Sequence, residues 1–180
     1  MIFTYSEILL KYKSAYQIEK AIKDGKIYKI EKGIYSDVPS VHYLAIIMKK
    51  YPYGVFSSYS AYYYHNLTDV IPNKIYLSTN RNATTITSTK IHQIRMKDEL
   101  YDLGKTEIVY EGIKINIYDK ERTLIDLARN KNQIGYDLYK EIISNYRKLA
   151  NSLDTQKIEE YLQYFVNGDK IFEIIQDEVF

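Results

Sequence analysis

The chain has 180 residues, 46% of them hydrophobic and 27% charged, which is ordinary for a soluble globular protein. It has no long apolar run, no signal-peptide pattern and no cysteine, so we expect a cytoplasmic protein without a membrane span, disulfides or thiolate metal sites. The net charge of +2 combines +7 over residues 1–96 with −5 over residues 97–180, which indicates either different partners for the two ends or two solvated faces.

The first 37 residues have the element order of a winged helix-turn-helix. Thr4 and Ser14 are candidate N-caps for two short helices, the second over residues 15–24. β-forming residues on both sides of Lys32-Gly33 then predict a tight hairpin. We therefore predict a DNA-binding domain over residues 1–37, in which a helix-turn-helix is followed by a two-stranded wing.

The second of these helices divides into two faces. At about 100° per residue, one stripe is apolar and is expected to pack inward: Ala15, Ile18, Ala21 and Ile22. The other side suits DNA, because lysines neutralise phosphates and Gln or Tyr side chains reach base edges. With two lysines of the wing, the predicted DNA-binding residues are Lys13, Ser14, Tyr16, Gln17, Lys20, Lys23, Lys29 and Lys32.

The charge of this region leaves a second interpretation open. Many surface helices carry lysines opposite their apolar face, and Glu19 and Asp24 dilute the positive field. The net charge of residues 1–36 is only +3. A winged helix that docks a protein is therefore the alternative to one that binds DNA.

Residues 38–180 are predicted to form a mixed domain. Ser40 is expected to begin a helix that runs to residue 50, and Ser57 or Ser58 another over residues 59–66. Strand patterns cover residues 74–79, 90–96, 106–110 and 113–118, with residues 80–88 as a long hairpin loop or flexible edge. Helical patterns cover residues 119–129, 136–150, 154–167 and 170–177, with Gly168 as a helix C-cap. This order predicts an α+β fold with a small antiparallel sheet and C-terminal helices.

No constellation for catalysis or metal binding is visible in the sequence. His42, His65 and His92 are isolated, and the chain has no phosphate-binding glycine loop. Arg122 precedes Asp126 by four residues, which favours an ion pair on one helix face over acid–base chemistry. We therefore expect no enzymatic activity, no metal and no cofactor.

The last 27 residues have a net charge of −5 and apolar residues at helical spacing. An acidic amphipathic segment of this kind could dock a basic partner. It could equally close the core of its own domain. The sequence leaves both interpretations open.

Three segments together resemble the AbiEi family of antitoxins from type IV toxin–antitoxin systems, which act in abortive infection. The first is the wing over residues 25–35, and the second covers residues 52–67. The third, Glu121-Arg122-Thr123-Leu124-Ile125-Asp126-Leu127, matches the family signature E-R-T-L-[VI]-D-L throughout. Three positions depart from the family pattern: Lys32 in place of Arg, Tyr59 in place of His and Asn66 in place of Gly.

The resemblance implies a winged helix-turn-helix that represses its own operon by binding repeated operator sequences in double-stranded DNA. It also implies a C-terminal region that counters a nucleotidyltransferase toxin, with or without a stable complex. The family motifs are expected to be structural, with Ser58 capping a helix and the acidic motif capping and pinning another; their residues are Ser58, Ser60, His65, Glu121, Arg122 and Asp126. A nucleic-acid-processing enzyme or a protein-docking factor in phage defence remains the alternative.

Overall fold

The computed structural model describes residues 1–180 as a mixed α+β chain that groups into two compact units. The first unit is Met1–Tyr53 together with Val109–Ile115, and the second is Gly54–Ile108 together with Asn116–Phe180. The first unit thus extends past residue 37, where the sequence suggested a boundary. None of the helices combines the length and the apolar character that crossing a bilayer would need.

The first unit contains three helices and a small antiparallel sheet. Its elements are β1 (Ile2–Thr4), α1 (Tyr5–Tyr12), α2 (Ala15–Lys23), β2 (Tyr28–Glu31), β3 (Ile34–Ser36) and α3 (Tyr43–Lys50). The strand order is β1-β3-β2, so the first strand closes the sheet beside the hairpin. The core between the helices and the sheet is formed by Ile8, Ile18, Ala21, Ile27 and Tyr35.

Local capping explains where these helices begin. Thr4 and Glu7 form a reciprocal capping box at the start of α1, and the Ser14 hydroxyl accepts from the Gln17 N–H at 3.2 Å at the start of α2. Helix α3 does not begin at Ser40 as predicted. It begins at Tyr43, because the His42 Nδ1 accepts from the Leu44 N–H at 3.2 Å and supplies the cap.

The remaining elements form a larger mixed sheet and a set of C-terminal helices. They are β4 (Val55–Phe56), α4 (Ser58–Tyr64), β5 (Ile75–Asn80), β6 (Ile91–Met96), α5 (Asp98–Asp102), β7 (Lys105–Tyr110), β8 (Ile113–Tyr118), α6 (Lys120–Arg129), α7 (Tyr136–Leu149), α8 (Thr155–Leu162) and α9 (Gly168–Val179). The sheet order is β6-β5-β4-β8-β7. Strand β4 pairs antiparallel with β5 and parallel with β8.

Strands β5 and β6 are parallel, so residues 80–88 are not a hairpin loop, which was one of the two interpretations of this segment. Tyr76 is the register partner of His92, and Asn80 that of Met96. Six-residue strands span about 20 Å, and ten connecting residues reach about 33 Å when extended, so residues 81–90 can return the chain without a helix. Alternation alone cannot distinguish the two directions, because both place the same side chains on the same face.

The apolar faces of the C-terminal helices lie in the protein's own core. Residues of α8 and α9 pack with α6 and α7 in one buried cluster that includes Ile158, Leu162, Ile171, Ile175 and Val179. Gly168 is the first residue of α9 and not a C-cap. A Cβ there would lie 2.5 Å from the Leu162 carbonyl oxygen, so the chain needs glycine for this close approach.

Candidate nucleic-acid interface

The outer face of α2 is open to solvent. Ile18 and Ala21 are 3% exposed and anchor the inner face, whereas Tyr16 is 74% exposed. Gln17, Lys20 and Lys23 are also exposed. Ala15, which we expected on the inner face, is exposed as well, because inward packing begins only at Ile18. Four predicted contact residues therefore share one accessible helix surface: Tyr16, Gln17, Lys20 and Lys23.

Lys13 does not belong to this helix surface, contrary to the prediction. It ends α1 in the left-handed conformation, with φ 66°, and its N–H bonds to the Leu9 carbonyl at 2.7 Å. Helical spacing cannot be extended backwards through such a turn. Lys13 is exposed in the connection between the two helices, and the Ser14 hydroxyl beside it serves α2 as its cap.

The hairpin carries two further exposed lysines. Lys29 lies on β2 opposite Tyr35, and Lys32 lies in the turn, where Gly33 takes φ 80°. A positive φ of this size favours glycine and permits the tight reversal that the sequence predicted. The hairpin therefore presents cations on both β2 and its tip.

The exposed lysines of α2 and of the hairpin form no ion pairs, because most acidic side chains of the first unit contact other groups. Four of its acidic side chains form ion pairs: Glu7 with Lys49 at 2.7 Å, Glu31 with Lys50 at 2.9 Å, Asp24 with Lys26 at 3.5 Å, and Asp37 with the N-terminal amine. Glu111 accepts a hydrogen bond from the His42 Nε2 at 2.9 Å. The hydrogen bond from Lys49, together with those from Thr4, lowers the pKa of Glu7 to about 2. Glu19 has neither an ion pair nor such a hydrogen bond. We name Lys20, Lys23, Lys29 and Lys32, which form no ion pair, the free lysines.

The family-motif residues lie in the second unit, with Arg122 at their centre. Arg122 is fully buried, and its Nε donates to Asp126 Oδ2 at 3.1 Å. Its Nη1 donates to the carbonyl oxygens of Leu100 at 2.7 Å and Leu103 at 3.0 Å. The guanidinium also lies 4.6 Å from the Tyr118 ring centroid. The predicted ion pair is present, and it joins α6 to the segment that precedes β7.

The acidic residues near Arg122 do not all have the helix-capping role that we predicted for the motif. The N-cap of α6 is Asp119, which accepts from the Arg122 N–H at 2.8 Å, and not Glu121. Glu121 instead accepts from the Asp154 N–H at 3.2 Å and lies 3.6 Å from Lys157. Burial raises the pKa of Asp126, and the charges of Arg122 and Arg129 oppose that rise.

Ser58, Ser60 and His65 surround the short helix α4. Ser58 does not cap it, since Ser57 is the N-cap residue and Ser58 is the first helical residue, with a left-handed φ of 49°. Ser60 Oγ accepts from the Tyr76 N–H at 2.9 Å. His65 Nε2 lies 2.6 Å from the Tyr118 carbonyl oxygen and so carries the proton, while burial lowers the pKa of the ring.

Two motif residues that are 68 positions apart, Ser58 and Asp126, line one cleft. The cleft also contains Tyr76, His92 and Arg129, which the sequence analysis did not select. Tyr76 and His92 are brought together by the parallel register of β5 and β6, which no local sequence pattern signals. No group of three or more His, Cys, Asp or Glu side chains is arranged to hold a metal ion.

Comparisons with known proteins bear on the fold alone. No protein-family model matches the chain. No curated protein matches it significantly. Among solved structures, the chain is similar to the crystal structure of the RV2827C protein from Mycobacterium tuberculosis, with a TM-score of 0.69 and 11% identity over 99% of this chain and 72% of that chain. The likeness supports a mixed α+β arrangement along the whole chain.

Proposed function

We propose that the first unit binds double-stranded DNA and that the protein is a transcriptional regulator. The observation that carries this proposal is the set of free lysines, which lie exposed on α2 and on the β2–β3 hairpin while Glu7, Asp24 and Glu31 pair with other cations. Glu19 is the one acidic side chain of α2, against two free lysines on the same helix. A cationic surface that its own protein does not neutralise is what phosphate binding requires.

The element order of the first unit supports a winged helix-turn-helix interpretation. Two residues separate α1 from α2, and a hairpin follows whose inner strand β3 also pairs with β1. In this class of module the second helix enters the major groove and the wing contacts the neighbouring backbone. The second helix is here α2, and the wing is the β2–β3 hairpin.

The side chains of these two elements suit different parts of the duplex. Lys20 and Lys23 on α2 would neutralise phosphates, as would Lys29 and Lys32 on the hairpin. The exposed amide of Gln17 can pair with an adenine edge through two hydrogen bonds. Sequence preference would therefore depend on Gln17, and overall affinity on the lysines.

The test is binding of the full chain to a duplex from upstream of its own gene, followed by fluorescence anisotropy over a range of salt concentrations. We expect the double variant Lys20→Glu with Lys23→Glu to bind at least tenfold more weakly and to lower the slope of log Kd against log salt by about 2. Lys74→Glu with Lys90→Glu is the matched control, because it makes the same charge change at exposed, unpaired lysines of the second unit.

Specificity is tested separately from affinity. Gln17→Ala should reduce the preference for the operator over a scrambled duplex by about tenfold while leaving the salt slope unchanged. Salt-independent binding, or equal losses in the two lysine pairs, would contradict DNA binding by this face. Capture of a protein by α2 without any DNA binding would establish the docking alternative instead.

We further propose that the protein represses its own operon and acts as an antitoxin. This part rests on the three motifs that resemble the AbiEi family and on their order along the chain. Co-expression with a nucleotidyltransferase encoded beside its gene should restore growth that the nucleotidyltransferase alone inhibits. The double variant of Lys20 and Lys23 should lose repression and keep this protection; no protection by the unchanged chain would refute the antitoxin role.

A further inference from the structure

A cleft within the second unit brings aromatic rings, a cation and amide groups together. It has a volume of about 350 Å³ and lies between α4, the strands β5 and β6, and the end of α6. The lining side chains that matter for recognition are Tyr59, Tyr76, His92, Arg129, Asn130 and Gln133. All belong to the second unit, so the cleft is separate from the DNA-binding face proposed above.

One wall of the cleft is a row of three aromatic rings. The Tyr76 ring centroid lies 5.0 Å from that of Tyr59 and 4.9 Å from that of His92. Tyr76 and His92 are register partners on adjacent parallel strands, so the backbone fixes the spacing of their rings. His92 is exposed and Tyr76 is half-buried, which leaves ring surface accessible to a planar ligand.

Arg129 supplies a positive charge at the same cleft. Its side chain is 46% exposed, and its Nη1 lies 4.0 Å from Asp126 Oδ1, the edge of ion-pair distance. The same carboxylate is already held by Arg122 at 3.1 Å. Arg122, Asp126 and Arg129 together therefore have a net charge of +1. A guanidinium binds phosphate through two parallel hydrogen bonds.

Two amides complete the lining. The Asn130 Nδ2 donates to the Asp126 carbonyl oxygen at 2.8 Å, so that the Asn130 side-chain oxygen is available as an acceptor. Gln133 is exposed at the end of the short 3-10 helix Lys131–Gln133 that follows α6. Acceptors and donors of this kind recognise the edge of a nucleobase.

We propose that this cleft binds a nucleotide, with its base against Tyr76 and His92 and its phosphate on Arg129. The volume is at the small end of ligand sites, which suits a mononucleotide or the terminal nucleotide of a single strand and not a duplex. The proposal does not depend on DNA binding by the first unit.

The test is titration of the full chain with AMP, UMP, adenosine and ribose 5-phosphate, followed by amide NMR shifts and calorimetry. We expect AMP or UMP to bind at least tenfold more tightly than either fragment, because only a nucleotide reaches both the rings and Arg129. A single-stranded dinucleotide with a terminal phosphate distinguishes the two sources: tighter binding than AMP indicates a strand end, and equal or weaker binding indicates a free nucleotide.

Three variants locate the site. Arg129→Gln and Tyr76→Leu should each weaken nucleotide binding by about tenfold. Arg95→Gln on β6 is the matched control, because Arg95 is exposed and does not line the cleft, and it should change affinity less than twofold. Thermal unfolding of each variant establishes that it is folded.

Several outcomes would overturn the proposal. These are no binding of any probe at millimolar concentration, equal affinity for ribose 5-phosphate and AMP, or affinity that is unchanged in both Arg129→Gln and Tyr76→Leu. The double variant of Lys20 and Lys23 should bind nucleotide as the unchanged chain does, so failure of the DNA-binding proposal and failure of this one are distinguishable.

Discussion

Replacing Arg122 with methionine should destabilise the protein strongly, although methionine retains much of the packing volume. The change leaves the buried Asp126 carboxylate without its partner and the carbonyl oxygens of Leu100 and Leu103 without donors. Breaking a buried ion pair from one side costs about 3–5 kcal/mol, and each unsatisfied buried acceptor adds about 1 kcal/mol or more. Since Asp126 can relieve part of this cost by taking up a proton, we expect a loss of about 4 kcal/mol in the free energy of unfolding.

Urea unfolding at pH 7 measures this loss, and a double-mutant cycle shows how much of it comes from the contact between Arg122 and Asp126. Asp126→Asn combined with Arg122→Met should cost about 2 kcal/mol less than the sum of the two single variants, because the double variant leaves no unpaired buried charge. Arg129→Met is the control: it lies on the same helix and near the same carboxylate, yet it is partly exposed and should cost less than about 1 kcal/mol.

The pH dependence gives an independent check. Burial raises the folded-state pKa of Asp126 above its ordinary value of 3.8. The folded state therefore binds the proton of Asp126 more tightly than the unfolded state does. This contribution to the free energy of unfolding is fully present below pH 3.8 and is lost as the pH rises through the folded-state pKa. Removing Arg122 raises this pKa further, so the deficit of Arg122→Met should grow between pH 4 and pH 7. A deficit below about 1 kcal/mol, or strictly additive single variants, would refute the role assigned to Arg122.

Two further predictions concern the backbone and the N-terminal cap. Gly104→Ala should destabilise the protein more than Gly112→Ala does. Both glycines have a left-handed φ (75° and 78°), but only at Gly104 would a Cβ meet the Arg122 Cβ, at 2.6 Å. Equal losses in the free energy of unfolding, measured in urea, would show that this contact relaxes at no cost. Glu7 has a pKa of about 2 against an ordinary 4.5, so its stabilising effect is present above pH 4.5 and disappears as the pH falls towards 2. The melting temperature of the unchanged chain should therefore fall more steeply over that interval than that of Glu7→Gln. Parallel curves would show that the contacts of Glu7 with Lys49 and Thr4 do not stabilise the fold.

Local chemistry made part of the fold predictable. The N-caps Thr4 and Ser14 and the Arg122–Asp126 pair depend on residues close in sequence, and the structure contains each of them. The Glu111-Gly112 turn is of the same kind, with both residues at positive φ. Strands β1 and β4 went unpredicted, because two or three residues carry too little alternation to be recognised.

Of the two candidate sites, one was predictable from local sequence and the other was not. The exposed face of α2 followed from helical spacing alone, and the exceptions, Lys13 and Ala15, lie at the boundary of the helix, where spacing no longer applies. The cleft beside Arg129 was not predictable, since Tyr76 and His92 meet only through the parallel pairing of their strands. Ser58 was misassigned because Ser57 and Ser58 are equivalent as sequence signals for a cap.

The discontinuous make-up of the first unit limits how the protein can be dissected. A fragment that stops at Tyr53 would omit Val109–Ile115 and so deprive His42 of Glu111. The shortest uninterrupted fragment that includes every residue of that unit ends at Ile115, and it would end inside strand β8. Recombinant truncation and domain shuffling therefore have no clean cut site here, and point substitution in the intact polypeptide is the appropriate way to separate its activities.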